Sequence, residues 1–208
     1  MPRASQRATP TIASIAVVSG GKQSGTVGTA LPKPIVVKAK TSSGAIVVGA
    51  PITFADGGVG GTFSPNPAVT GSNGEASTTF TLPTVAKTLT VTALDQTVSV
   101  NITETSKPGT ATNLTIVQGN DQSAHPNNKL PKKLIVSVTD QYGNGVSGVS
   151  VSFTDNGAGG TFSPVSPVTT TSSGEATIGY TTGPNTGTVT IDASTSTLGP
   201  VVFTETVD

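Results

Sequence analysis

Gly60-Gly61-Thr62-Phe63-Ser64-Pro65 returns unchanged as Gly159-Gly160-Thr161-Phe162-Ser163-Pro164, 99 residues further along the chain. A glycine-rich hexapeptide in two copies is either a pair of ligand loops or the punctuation of a fold built twice. A phosphate-binding loop requires Gly-Lys-Ser/Thr opening a helix, whose amides and dipole hold the anion. Here the glycines lead into Thr-Phe-Ser-Pro, with no lysine and no helical pattern. The structural reading therefore prevails: a tight turn or bulge in which Gly supplies positive φ, with Phe63 or Phe162 packing beneath it.

The repeat extends outward from this point. Ala13–Gly20 matches Thr112–Gly119, Leu31-Pro32-Lys33 matches Leu130-Pro131-Lys132, and Phe54 matches Phe153, all at an offset of 99. Gly74-Glu75-Ala76 then matches Gly174-Glu175-Ala176 at 100, and Thr103-Glu104-Thr105 matches Thr204-Glu205-Thr206 at 101. The single-residue slips fall in loop-like sequence, where insertions cost little. A unit of about a hundred residues is too long for a solenoid repeat and the right size for a domain.

Within each copy the apolar residues alternate. The second reads Leu114/Ile116, Leu134/Val136/Val138, Val149/Val151/Phe153, Ala176/Ile178/Tyr180, Val189/Ile191/Ala193 and Val201/Phe203. The first reads Ile15/Val17, Ile35/Val37/Ala39, Ile52/Phe54, Ala76/Thr78/Phe80/Leu82, Leu89/Val91/Ala93 and Val98/Val100/Ile102. Period two means strands with one buried face. Turn signals such as Tyr142-Gly143-Asn144-Gly145 and Ser72-Asn73-Gly74 separate six or seven strands per copy. The expectation is an all-β chain of two tandem antiparallel sandwiches. Their division is a flexible N-terminal arm over 1–11, a sandwich over 12–106, a short linker over 107–110 and a second sandwich over 111–208. Pro108-Gly109 in that short linker favours end-to-end domains with limited bending.

Composition agrees. Of 208 residues, 34% are hydrophobic and 4% aromatic, with 25 Gly and 15 Pro, a mixture that disfavours helices. Only 11% are charged and the net charge is zero, with neither the basic face of a nucleic-acid binder nor the Lys/Arg cluster of an anionic-membrane binder. Met1–Arg7 reads as a frayed terminus. No stretch approaches the roughly 20 apolar residues of a membrane span, and the N-terminus lacks a signal-peptide run. The absence of cysteine excludes disulfides, thiolate metal sites and a Cys nucleophile.

The second copy's Asp140-Gln-Tyr142-Gly-Asn144, Val-rich strand, Gly-Gly-Thr turn, Gly174-Glu175-Ala176 turn and Gly187-Thr-Val-Thr-Ile191 form an ordered series. That series resembles the bacterial immunoglobulin-like domains of the invasin/intimin type, over most of both copies. The first copy departs from it where Thr41, Ser42, Ser43, Gly44 and Ala45 stand in place of Asp140 to Asn144. The resemblance implies a stalk module of a bacterial surface protein, sometimes carrying a receptor-binding tip.

The remaining chemistry is sparse. His125 is the lone histidine and sits in a polar loop, so a triad or a His-based metal site has no partner. Glu75 and Glu175 follow a turn glycine and are expected to close that turn. Glu104 and Glu205 continue an inward register at a strand end, where solvent or an adjoining domain would satisfy them. An isopeptide bond from Glu104 to Lys38 or Lys40 is disfavoured because both lysines are out of phase with Ile35/Val37/Ala39. Asp121, Asp140, Asp155 and Asn156 are loop oxygens without the dense spacing of a calcium loop. The triplets at Asn101 and Asn113 fit the glycosylation pattern at the frequency chance allows.

These readings make the chain a non-enzymatic extracellular or cell-surface module with no cofactor, a semi-rigid spacer in mature or fragment form. Its partners are neighbouring immunoglobulin-like domains or copies of itself. Two alternatives stand beside the spacer. One is an adhesin tip meeting a host protein or glycan, with Tyr142, Asp140 and Asn144 as the candidate contacts. The other is a fibre subunit pairing through Ala8–Val18 or Val201–Val207.

Overall fold

The computed structural model describes residues 11–96 and 98–208. The expected arm over 1–11 therefore lies, apart from Thr11, outside the described residues. The chain divides into two compact units, Met1–Lys107 and Pro108–Asp208, here called unit 1 and unit 2.

Unit 1 contains β1 (Ser14–Ser19), β2 (Ser24–Thr26), β3 (Ile35–Lys40), β4 (Pro51–Ala55), β5 (Thr62–Ser64), β6 (Ala68–Val69), β7 (Glu75–Thr81), β8 (Lys87–Asp95) and β9 (Val98–Lys107). Unit 2 repeats them as β10 (Asn113–Gln118), β11 (Ser123–Ala124), β12 (Leu134–Thr139), β13 (Ser150–Thr154), β14 (Thr161–Ser163), β15 (Val168–Thr169), β16 (Glu175–Thr181), β17 (Gly187–Ser194) and β18 (Val201–Val207). Each unit faces a four-stranded sheet, β1-β3-β7-β5 or β10-β12-β16-β14, with a five-stranded one, β2-β9-β8-β4-β6 or β11-β18-β17-β13-β15. The sandwich is the expected one. Its strand number exceeds six or seven because segments of two or three residues, such as β2 and β6, also pair.

Alternation places the core between the sheets. In β3, Ile35, Val37 and Ala39 are buried while Val36 and Lys38 sit on the outer side. In β7, Ala76, Thr78 and Phe80 point inward, and the Thr78 hydroxyl is satisfied by donating to the Pro65 carbonyl at 2.8 Å. Ile178, Tyr180, Ile191 and Phe203 fill the same role in unit 2. Burying each large apolar side chain stabilises a unit by about 1.5–3 kcal/mol relative to exposure.

The pairing departs from the antiparallel expectation once in each unit. After β1 the chain crosses from one sheet to the other, so β2 runs parallel to β9, with Ser24 opposite Thr105. β11 likewise runs parallel to β18. Gly20 and Gly119 make the crossing possible, at φ of +80° and +97°. A Cβ at Gly20 would overlap the Pro34 carbonyl, and one at Gly119 the Lys133 carbonyl. The crossing also decides which strands are edges. β11 pairs with β18 at Thr206 and Val207, so the end of Val201–Val207 is interior, while Val201–Phe203 has a strand partner only in β17. β1 is an edge, with Val17 and Val18 exposed.

Candidate functional site

The three positions singled out in the second copy meet in one turn. Asp140 directly follows β12, and its backbone closes the turn: its N–H donates to the Asn144 carbonyl and its carbonyl accepts from Gly143 N–H. Its side chain is fully buried. Oδ1 accepts from the backbone N–H groups of Tyr142 and Asn144, each at 2.9 Å, and from Asn144 Nδ2 at 3.1 Å. Oδ2 accepts from Asn144 Nδ2 at 3.0 Å and from Gly109 N–H at 2.8 Å. Burial works against the charge, but the bonds from Gly109, Asn144 and Tyr142 outweigh it and hold the carboxyl below its ordinary range.

This is a turn brace that also ties down Gly109, near the start of unit 2. Of the three, Asp140 and Asn144 are turned toward each other, and Tyr142, 47% exposed, presents its side chain to solvent. In unit 1 the same turn forms through Thr41, Gly44 and Ala45, without a carboxylate. At the same offset of 99, Pro10 stands where unit 2 has Gly109, and proline has no N–H to donate. Donor and acceptor are thus absent together from the first copy. Asp140→Ala is expected to destabilise unit 2 by about 2 kcal/mol, because the change orphans several buried N–H groups. Urea unfolding would measure that loss, and amide exchange at Gly109 should accelerate in parallel. Unchanged exchange at Gly109 would mean that Asp140 does not hold that residue.

The repeated hexapeptide has a similarly internal role. Asp56 Oδ2 accepts from Gly61 N–H at 2.6 Å, and Asp155 Oδ2 accepts from Gly160 N–H at 2.7 Å and from the Tyr180 hydroxyl at 2.9 Å. Burial, then the Asp155 carboxylate, push the Tyr180 phenol above its ordinary value. Phe63 stacks on Phe80 at a centroid distance of 4.4 Å, and Phe162 meets Tyr180 at 5.0 Å. Thr62–Ser64 and Thr161–Ser163 are short strands, so the motif ends a turn and enters a ladder.

Glu104 and Glu205 are where the sequence expectation needs correction. Neither meets solvent at a strand end: they are 0% and 1% exposed, within β9 and β18. The parallel strand that follows the crossing covers them. Gln23 N–H donates to Glu104 Oε2 and Gln122 N–H to Glu205 Oε2, both at 2.7 Å. Oε1 of each is buried without a hydrogen-bond partner. The same glutamines pin the crossing from outside: Gln122 Nε2 donates to the Gly119 and Lys132 carbonyls, while its Oε1 accepts from Lys132 N–H at 2.6 Å. Gln23 repeats this with Gly20 and Lys33. Gln23 and Gln122 are the residues that sequence reasoning passed over. Their offset of 99 was the available signal.

The other candidates are dispersed. Lys38 pairs with Glu75 at 3.3 Å on the outer side of β3, away from Glu104's recorded partner. Glu75 accepts from Asn73 Nδ2 at 2.7 Å and closes its turn as expected. His125 is an exposed loop residue whose Nδ1 lies 2.8 Å from the Asp208 carbonyl oxygen. Among the described residues no three His, Cys, Asp or Glu gather as metal ligands.

Residues 113–206 match the family model described as bacterial Ig-like domain (group 1). The resemblance drawn from the sequence is thereby borne out for unit 2, and unit 1 repeats its strand order. Among solved structures, InvD of Yersinia pseudotuberculosis is 16% identical over 93% of this chain and 57% of that one, with a TM-score of 0.63. The adhesin InvE of the same species is 14% identical over 93% and 58%, with a TM-score of 0.45. The Escherichia coli adhesin FdeC is 18% identical over 92% and 63%, with a TM-score of 0.49. The chain thus spans about 60% of the length of these structures, and InvD supports the sandwich fold. A comparison with curated proteins gives no match.

Proposed function

We propose, from a second unit that matches the bacterial Ig-like domain and a first that repeats it, that this chain is a non-catalytic spacer at the bacterial cell surface. Its work is mechanical. Each unit closes its own hydrophobic core, so the units can be strung in series without borrowing residues from one another. The observation that carries the reading is the match of residues 113–206 to the bacterial Ig-like domain, in a unit whose candidate residues are spent on bracing its own turns. The adhesin-tip alternative retains one exposed aromatic, Tyr142, and the fibre alternative retains the β1 edge and the start of β18.

Small-angle scattering with light scattering across a concentration series tests the proposal. The expected result is a monomer at every concentration. Ordered growth with concentration would overturn the spacer and point to β1 or the start of β18 as the polymerising edge.

A further inference from the structure

Unit 2 carries a groove of about 570 Å³ that unit 1 does not reproduce in charge. It lies between the loop Lys129–Lys133, which enters β12, and the outer side of β14 and β16. Lys129, Lys132 and Lys133 line it, and no carboxylate does. All three lysines are exposed, and among the described residues none has a recorded ion pair. In a chain with 11 basic and 11 acidic residues, three cations at one groove make a local excess.

The backbone that carries the lysines is held in place. Lys129 bridges Thr181, and Leu130 N–H donates to the Tyr180 carbonyl at 2.9 Å. Lys132 is gripped by Gln122 at both its N–H and its carbonyl. A preformed loop loses little conformational freedom on binding, which favours affinity. Gly179 lines the floor without a side chain.

The first copy supplies an internal comparison. At matching positions it has Ala30, Lys33 and Pro34 in place of the three lysines, and Thr79 in place of Gly179. The loop itself is pinned identically, by Gln23 on Lys33. Architecture therefore does not demand the extra lysines or the missing side chain.

We propose that this groove binds an acidic oligosaccharide, one bearing sulfate or carboxylate groups. Lysine ammoniums suit such point anions. The Ser163 and Thr181 hydroxyls and the flanking Pro131 and Pro164 suit a ligand with both hydroxyl and C–H surface. The volume is that of a small-ligand site, and no exposed aromatic lines it for a nucleobase to stack on.

The test titrates the intact chain with four probes, a sulfated heparin hexasaccharide, a carboxylated oligogalacturonate, neutral maltohexaose and a single-stranded oligonucleotide of equal charge, while amide shifts are followed. Binding of either acidic probe, with shifts confined to Lys129–Lys133, Gly179 and Thr181 and none with maltohexaose, is expected. The sulfated and carboxylated arms identify which anion is preferred. Lys129→Ala/Lys133→Ala, which approaches the unit 1 sequence, should weaken binding about tenfold. Lys33→Ala in unit 1 should leave binding unchanged. Equal affinity of the double variant, shifts spread over both units, equal binding of maltohexaose, or tighter binding of a single-stranded oligonucleotide of equal charge would each overturn the assignment.

Discussion

Gly160→Ala should destabilise unit 2 by about 3 kcal/mol, the upper range for overpacking a core. The added Cβ would fall on the Tyr180 hydroxyl and within 2.5 Å of the Thr181 carbonyl oxygen. Tyr180 has nowhere to retreat. Its hydroxyl is bound to Asp155 and its ring lies against Phe162. Moving the glycine instead would stretch its own N–H bond to the same Asp155 oxygen. The equivalent Gly61→Ala would set its methyl on the Phe80 ring, 2.7 Å from Cζ and 2.9 Å from the Thr81 carbonyl oxygen. Gly159→Ala is the control. Gly159 has φ of +77° but only Pro184 Cδ near it, at 3.5 Å, so the cost is backbone strain of about 1 kcal/mol. Both tyrosines, Tyr142 and Tyr180, lie in unit 2, so tyrosine fluorescence in urea reports that unit alone within the intact chain. If the Gly159 substitution proved the costlier one, the hexapeptide would be a conformational turn and not a packing joint.

That contrast separates what the sequence could disclose from what it could not. Alternation is local, and a strand such as Ile35–Lys40 shows its buried face in six letters. The hexapeptide was legible as a turn because Gly-Gly speaks of backbone freedom. The second glycine's role depends on an aromatic 19 or 20 residues away, and no periodicity states that. The same holds more strongly for Gln23, whose N–H meets a glutamate 81 residues later. A glutamine in a polar loop resembles any other until the crossing of the chain between sheets brings the two together. Asp140 was visible as a turn residue, yet its bond to Gly109 spans 31 positions and joins two segments that the sequence presents as unrelated. The groove needed the fold as well. Its lysines are consecutive enough to notice, but the floor at Gly179 arrives from a strand some 50 residues downstream.

The stability of each unit should fall as pH rises from about 4.5 to about 7, opposite to the usual behaviour of a paired carboxylate. Burial pushes Glu104 and Glu205 up from 4.5 to about 7, against the lowering effect of the Gln23 and Gln122 N–H bonds. For Glu205 the nearby Asp121 carboxylate adds to the rise. Between the two values the folded unit holds a proton that the unfolded chain has released, so the stabilisation is complete below 4.5 and is lost as pH climbs through about 7. The slope is about 1.4 kcal/mol per pH unit, on the order of 3 kcal/mol for each unit over the window. Unit 2 carries a second, opposing term. Asp140 titrates below its ordinary 3.8, so its contribution is present above that value and disappears as pH falls through the lower folded value. Unit 1 has Thr41 there and no such acid loss. Unit 2 should therefore be most stable near pH 4 to 5, whereas the Asp140 contribution to acid loss is missing from unit 1. Urea midpoints from about pH 3 to about pH 8, read by tyrosine fluorescence for unit 2 and by far-ultraviolet dichroism for both, measure this. Glu205→Gln should flatten the fluorescence-detected slope between 4.5 and 7. Glu104→Gln should leave that slope intact and remove the corresponding one from the remaining dichroism transition. A Glu205→Gln slope equal to the parent's would mean that the unpartnered carboxylate is not the group the proton binds.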